Sequence, residues 1–316
     1  MTGLPVRLAC ELAKKPVEQR FLVEHLWSAG AVGIVGGEPK CCKSFLALDI
    51  ALAVASGRPC LRRFGVHEPG PVLLFAAEDA LHIVRERLEG IAAAARIGLP
   101  GLPLHVITAP GLRLDLDGDR RALRQTVAQL RPRLLVLDPF VRLHRKNENA
   151  ADEVAPMLAY LRQLQREHET SVLLVHHARK GGHARPGQAL RGSSELHAWG
   201  DSNLYLRRTG ERLTMTIEHR AAASPPPLTL ALRAEPGLAL QVVDPAPSST
   251  VPPCPLPTDR LLAVLHSAVQ PMTRRQLRDA CRMRSSSVGE ALATLVADGL
   301  VVEDEHGYAA AARVSR

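Results

Sequence analysis

Apolar positions in the first two thirds of the chain fall alternately into short continuous runs and into helical spacings. Residues 31–37 (AVGIVGG) read as a buried strand entering a turn, and 43–57 as a helix closed by Gly57. Residues 71–77 form a second apolar run. Residues 79–97 read helical, with Leu81, Val84, Leu88 and Ile91 three and four apart. Further strand candidates at 104–108 and 133–138 flank a helix through 119–130. A long amphipathic pattern over 151–169 then precedes SVLLVHH at 171–177. Strands that are apolar throughout, alternating with helices, predict an α/β fold with a mainly parallel sheet covered on both faces.

From residue 200 the pattern changes to alternation. SNLYLRR, RLTMTIEHR, LTLALRAE and LALQVVD read as successive antiparallel strands that extend the sheet at one edge. Residues 245–257 (PAPSSTVPPCPLP) form a Pro/Ser linker that can hold neither a helix nor a central strand. The expected organisation is therefore a domain over 1–244, a linker over 245–257 and a small domain over 258–316. The small domain shows three helical patterns and a hairpin around a Gly turn, and resembles a winged helix-turn-helix. Thr273 and Gln276 have capping-box spacing. The third helix would carry Ser285, Ser286, Ser287 and Glu290 outward, with Arg282 and Arg284 in the preceding turn, as a duplex-reading element does. A protein-docking module is the alternative.

Composition narrows the setting. The chain has 316 residues, 46% hydrophobic, 23% charged and only 3% aromatic, so its core must be built from aliphatic side chains. Lys and Arg number 40 against 32 acids, a net charge of +8, and only six of the forty are Lys. Arginine suits forked contacts to phosphate and carboxylate, although a GC-rich genome gives the same bias. No apolar run reaches signal-peptide or membrane-spanning length. The six cysteines contain no C-x-x-C pair, so neither a zinc cage nor a disulfide framework is expected, and a reduced cytoplasm is the expected home.

The sharpest chemical signal is GGEPKCCKS at 36–44. The phosphate-loop pattern G-x-x-x-x-G-K-[ST] is met by Gly37, Lys43 and Ser44, between an expected strand and an expected helix. Such a turn directs backbone N–H groups of Glu38, Pro39's neighbours, Lys40, Cys41 and Cys42 toward a phosphate, with Phe45 opening the helix. Lys43 would bridge the outer phosphates of ATP, and the Ser44 hydroxyl would ligate Mg²⁺. Cys42 stands where the pattern has its second glycine, and a small thiol in helical conformation would fit there. Asp138, ending LLVLD, is placed to hold the Mg²⁺ shell. Glu78 in FAAED is placed to activate water, with Asp79 left as the helix N-cap. His176 and His177 end another strand, and strand alternation lets only one of them face the phosphates.

Together GGEPKCCKS, FAAEDALHIVRERL, LLVLDPF, VHHARK and RGSSELHAWGDSNLYLRR resemble the RecA/DnaB-type P-loop ATPases, and most closely the RepA-like hexameric replicative helicases, over about residues 20–220. The resemblance implies a RecA-like core with ATP at subunit interfaces. In it Lys43 and Ser44 serve the nucleotide loop, Glu78 is the catalytic glutamate and Asp138 the magnesium-site aspartate. The sensor histidine falls in the pair, at His177 rather than His176. For the family's arginine finger, donated by a neighbouring subunit, Arg191, Arg207 and Arg208 lie in the right region, although the aligned spot falls near Asp201 or Asn203. The loop 178–194, with Lys180, Arg185 and Arg191, would track a phosphate backbone in a ring's channel.

The expected protein is a cytoplasmic Mg-dependent ATPase acting on DNA, a helicase or helicase-related motor of plasmid or mobile-element replication. It would hold single-stranded DNA in the ATPase domain and duplex in the small domain, as a homo-oligomer with a hexamer as the family arrangement. The alternatives are an ATP-switched DNA-binding regulator or recombination ATPase without unwinding, and a degenerate nucleotide-binding scaffold.

Overall fold

Strands that are apolar throughout need a layer on each face of their sheet, and the chain supplies both. The computed structural model describes residues 4, 6–12, 20–148, 150–177, 194–243, 257–268, 270–281, 283 and 285–311. Two compact units are present, Met1–Asp244 and Pro245–Arg316. The first contains a short hairpin, β1 (Phe21–Val23) and β2 (Trp27–Ser28), followed by β3 (Val32–Gly37) and α1 (Lys43–Ser56). Then come β4 (Val72–Ala76), α2 (Leu81–Ala94), β5 (Leu104–Val106), α3 (Asp117–Leu130), β6 (Leu134–Asp138), α4 (Ala151–His168) and β7 (Ser171–His177). A short α5 (Ser194–Trp199) leads into β8 (Ser202–Thr209), β9 (Arg212–His219), β10 (Leu228–Arg233) and β11 (Ala239–Val242).

Nine of these strands form one sheet in the order β11-β10-β9-β8-β3-β7-β6-β4-β5. From β8 to β5 every pairing is parallel, and from β8 to β11 every pairing is antiparallel. The sheet is therefore mainly parallel and extended by antiparallel edge strands, the class that the patterning predicts. Alternate strand residues sort onto two cores. Val35, Val72, Leu74, Leu134, Val136, Leu173 and Val175 pack on the α1 side. Val32, Ile34, Leu73, Leu135, Leu137, Val172 and Leu174 pack on the α4 side. Burying these runs is the main stabilisation, at about 25 cal/mol per Å² of apolar surface.

Helix α1 is buried nearly all round, as the apolar run LALDIALAVA demands. Its one acid, Asp49, is 2% exposed and accepts hydrogen bonds from the Leu61 amide (2.7 Å) and Arg62 Nη2 (2.8 Å). Burial pushes its carboxyl up, against the pull of Arg62. Gly57 closes the helix in the left-handed region at φ +73°. At Gly33 in β3 an added Cβ would lie 1.7 Å from the Ser202 carbonyl oxygen, so only glycine lets β3 and β8 approach this closely.

The second unit has α6 (Pro257–Ser267), α7 (Arg274–Cys281), α8 (Ser285–Ala297) and the hairpin β12 (Val301–Asp304) and β13 (Gly307–Ala310). Its core is built on Leu261, Leu277, Val288, Leu292, Leu295 and Tyr308. The Thr273 amide donates to Gln276 Oε1 (2.8 Å) and the Gln276 amide to Thr273 Oγ1 (3.4 Å), a reciprocal cap on α7. At the start of α8, Ser285 and Glu290 are exposed and Ser287 is half-buried. Arg282, Arg284 and the Ser286 side chain lie outside the described residues, as does the linker through 256. Among the described residues no helix is long and apolar enough to cross a membrane.

Candidate functional site

The parallel strands of the sheet end together. Register places Gly37 of β3 opposite both His177 of β7 and Leu206 of β8, and Ala76 of β4 opposite Asp138 of β6. Strand parity then decides which side chains meet. Asp138 follows Val136, and His177 follows Val175, so both stand on the α1 face. His176 belongs to the opposite face. At the carboxyl ends on the α1 side lies a cavity of ≈ 330 Å³. Lys40, Cys41, Cys42, Lys43, Ser44 and Phe45 line it from the loop, and Glu78, Asp79, Arg87, Asp138, Val175 and His177 from the other elements. Openings at strand ends of this kind are where open α/β sheets take ligands.

The loop from Gly37 to Cys42 is wound tightly. Gly37 has φ +155°, and a Cβ there would sit 2.3 Å from the Leu206 carbonyl oxygen. Glu38 is half-buried, Pro39 and Lys40 are exposed, and the cavity lining begins at Lys40. Cys42 has φ +63° and ψ 27°, a left-handed conformation and not the helical one expected from sequence. The helix begins one residue later, so Cys42 takes up the turn's reversal, at a cost of about 1–2 kcal/mol for a residue with a Cβ. Its half-buried sulfur receives a hydrogen bond from Arg208 Nη2 at 3.5 Å. Cys41 is buried at 1%, donates to the Glu38 carbonyl at 2.8 Å, and has its thiol pushed up by burial.

Lys43 is 5% exposed, and its Nζ donates to the Glu38 carbonyl at 2.8 Å with Cys41 Sγ at 3.9 Å. A buried ammonium held by one carbonyl of its own loop can exchange that partner for an anion. Ser44, on the first turn of α1, hydrogen-bonds the Asp138 carboxylate. Burial foremost pushes the Asp138 carboxyl up to about 6. The Ser44 bond and Lys43 oppose this, while the Asp79 and Glu78 charges add to it. Ser44 and Asp138 supply hard oxygens in a carboxylate-crowded spot, a donor set that fits Mg²⁺ shared with phosphates. Among the described residues no cluster of three or more His, Cys, Asp and Glu could hold a metal by itself.

Glu78 and Asp79 both reach the cavity, but their partners differ from the sequence reading. Asp79 does not cap α2. That helix starts at Leu81 with Ala80 as N-cap, and Asp79 instead pairs with Arg87. Arg87 in turn lies 5.3 Å above the Phe45 ring. Glu78 is 41% exposed and bonded to Arg142 Nε at 2.8 Å, so it is tethered at the surface and not free. An exposed pair of this kind is worth about 0.2–1 kcal/mol and yields readily.

The histidines separate as alternation requires. His177 lines the cavity. His176 is 1% exposed on the other face, its ring 6.0 Å from Phe140 and its Nδ1 3.8 Å from Glu148 Oε1. Glu148 Oε1 is also 3.8 Å from His144 Nε2. Arg207 is exposed at the end of β8 and outside the cavity lining, whereas Arg208 reaches Cys42. Arg191, Lys180 and Arg185 lie outside the described residues. Asp201 and Asn203 sit at the opposite end of the sheet. Asp201 pairs with Arg162 and Arg220, and Asn203 Oδ1 accepts from the Ile34 amide at 3.1 Å.

A family profile described as "AAA domain" matches residues 5–183, more than half of the chain. The chain belongs to this AAA-domain family. That profile spans the phosphate loop, Glu78, Asp138 and both histidines, which places the cavity inside an ATPase-type domain. Among solved structures, the chain is similar to the crystal structure of the RadB recombinase, with 17% identity, a TM-score of 0.47, and coverage of 68% of this chain and 92% of that one.

Proposed function

We propose that the cavity binds Mg-ATP and hydrolyses it, and that the chain is a DNA-acting ATPase, with a RepA-like helicase or helicase-related motor as the specific reading. The observation that carries this is the convergence of Lys43, Ser44, Glu78, Asp138 and His177 on one cavity at the strand ends of an AAA-domain chain. In this reading Lys43 exchanges the Glu38 carbonyl for phosphate oxygens, and Ser44 and Asp138 hold the magnesium shell. Bound Mg²⁺ would neutralise charge on the phosphates. Glu78 leaves Arg142 and takes a proton from the attacking water at a carboxylate oxygen. His177 donates a hydrogen bond toward the outer phosphate, and Gly37 gives the loop the room to turn.

Arg207, solvent-facing beyond its own cavity, is a candidate for completing a neighbour's site in a homo-oligomeric ring, as is Arg191. The second unit, three helices and a hairpin, is read as a winged helix-turn-helix that contacts duplex DNA, while the ATPase unit holds the single strand. The test is phosphate release with and without single-stranded DNA, alongside strand separation of a forked duplex. Turnover stimulated by the single strand, strand separation, and loss of both in Lys43→Ala are expected. DNA-independent turnover without separation would overturn the motor reading and favour a nucleotide-switched regulator. The left-handed Cys42 favours one further reading, a nucleotide-binding scaffold without turnover; turnover appearing only in Cys42→Gly would establish it.

A further inference from the structure

Glu78, Asp79 and Asp138 line one cavity, and each is held differently. Ser44 hydrogen-bonds Asp138, and Arg87, itself a lining residue, pairs with Asp79. Glu78 is engaged from outside. Its Oε1 accepts from Arg142 Nε at 2.8 Å, yet Arg142 is not among the lining residues and its side chain is 62% exposed. The backbone beneath the pair is fixed. Strands β4 and β6 are neighbours in register, and the Ala77 amide donates to the Asp138 carbonyl at 2.7 Å, so the two side chains leave adjoining strand ends. Arg142 closes a one-turn 3₁₀ helix, Phe140–Arg142, in which Phe140 is buried. The buried Leu143 follows, its carbonyl held by the Leu114 amide at 2.6 Å. A guanidinium on a turn pinned in this way holds the carboxylate at the rim. Turning Glu78 inward would bring its charge toward Asp138, whose carboxyl that charge already pushes up. Tether and repulsion act in the same direction.

We propose that Arg142 is a positioning residue that parks the Glu78 carboxylate at the cavity rim, so that the chemical step runs only while this bond is open. This rests on the reading that Glu78 activates water for triphosphate hydrolysis. In the open state the water oxygen bonds the terminal phosphorus, and Glu78 takes the water proton at a carboxylate oxygen. The bridging P–O bond breaks, its electron pair leaving with the diphosphate. With the Asp138 charge offset by a bound cation the repulsion falls away, and the Arg142 bond is what remains to be broken. For an exposed pair the closed state is favoured by a factor of about 1.4–5, so removing the tether should speed the step about two- to sixfold. Arg142 therefore acts through Glu78 and sets how often the carboxylate is available.

The experiment places the full chain, as wild type or Arg142→Gln, in excess over Mg-ATP and follows phosphate formed in a single turnover, with affinity measured by calorimetry. Arg142→Gln should form phosphate about two- to sixfold faster at low salt. Its affinity for Mg-ATP should be unchanged, because Arg142 stands outside the lining. Salt screens exposed charges, so wild type should gain on the variant as salt rises from about 0.05 to 0.5 M. A residue that only supported the fold would leave that ratio unmoved. Arg142→Lys keeps the charge without the forked donors, so its rate should fall between the other two, and it carries the test if the glutamine variant does not fold. Phosphate formed no faster in the Arg142 variants than in wild type would overturn the proposal, as would a ratio that salt does not change. Mg-ATP bound by wild type and variants alike, with no phosphate formed by any of them, would instead overturn the hydrolysis reading.

Discussion

Replacing Asp138 by Asn removes a buried negative charge while keeping the side chain's shape. Asp138 is 8% exposed, and burial foremost, with Asp79 and Glu78 adding to it, carries its carboxyl from 3.8 to about 6. A shift of about two units, at about 1.36 kcal/mol each, corresponds to about 3 kcal/mol. The sign follows from proton binding. The folded carboxyl holds its proton more tightly than the unfolded one, so the associated stability is fully present below about pH 4 and is lost as pH rises through about 6. In metal-free buffer, Asp138→Asn is therefore expected to exceed wild type by about 2–3 kcal/mol near neutral pH. That advantage should shrink toward zero near pH 4. Urea denaturation followed by circular dichroism, with a chelator present, measures it. Adding Mg-ATP should stabilise wild type and leave the variant unmoved, because the amide cannot balance the cation. A variant less stable than wild type at neutral pH, or a gap unchanged with pH, would refute the claim that this carboxylate is held ionised at a cost to the fold.

Cys42→Gly relieves a left-handed φ of +63°. After allowing for glycine's freer unfolded chain it should raise stability by about 0.5–1 kcal/mol in thermal unfolding, and a drop would contradict the strain. His177→Ala is expected to lower turnover at least about tenfold, the scale of one lost polar contact to a transition state, while His176→Ala acts chiefly through stability, about 2 kcal/mol for a buried side chain. Paired kinetics and denaturation curves separate the two, and the reverse pattern would reassign the sensor. Gly33→Ala drives a methyl to 1.7 Å from the Ser202 carbonyl and should cost about 3 kcal/mol or prevent folding. Near-wild-type stability there would mean that β3 and β8 are not in this register.

The repeating apolar runs made the parallel sheet legible, because a strand such as Ser171–His177 has no polar face to hide and must be buried on both sides. Period-two alternation let only one of the two histidines face the phosphates, and the choice of His177 came from the family resemblance; parity against Val175 puts His177 on the cavity side. The β1–β2 hairpin escaped because three and two residues are too few for alternation to register. Arg87 escaped because it lies in the helical row between Val84 and Leu88, where the pattern suggests core and not a cavity cation. Asp79 was misassigned for a related reason. An acid before a helix has the composition of an N-cap, and only the fold brings Arg87 within its reach. The Cys42 backbone was hidden because the turn's geometry, set by the approach of Gly37 to Leu206, overrides the preference of a residue with a Cβ.

Every role proposed for the cavity depends on a magnesium-bound triphosphate held between the α1 amino end and Asp138. Titrating Mg-ATP into the reduced chain by calorimetry is the decisive test. One site per chain is predicted, with binding lost in Lys43→Ala and weakened when magnesium is chelated. No binding by wild type, or undiminished binding by Lys43→Ala, would contradict it.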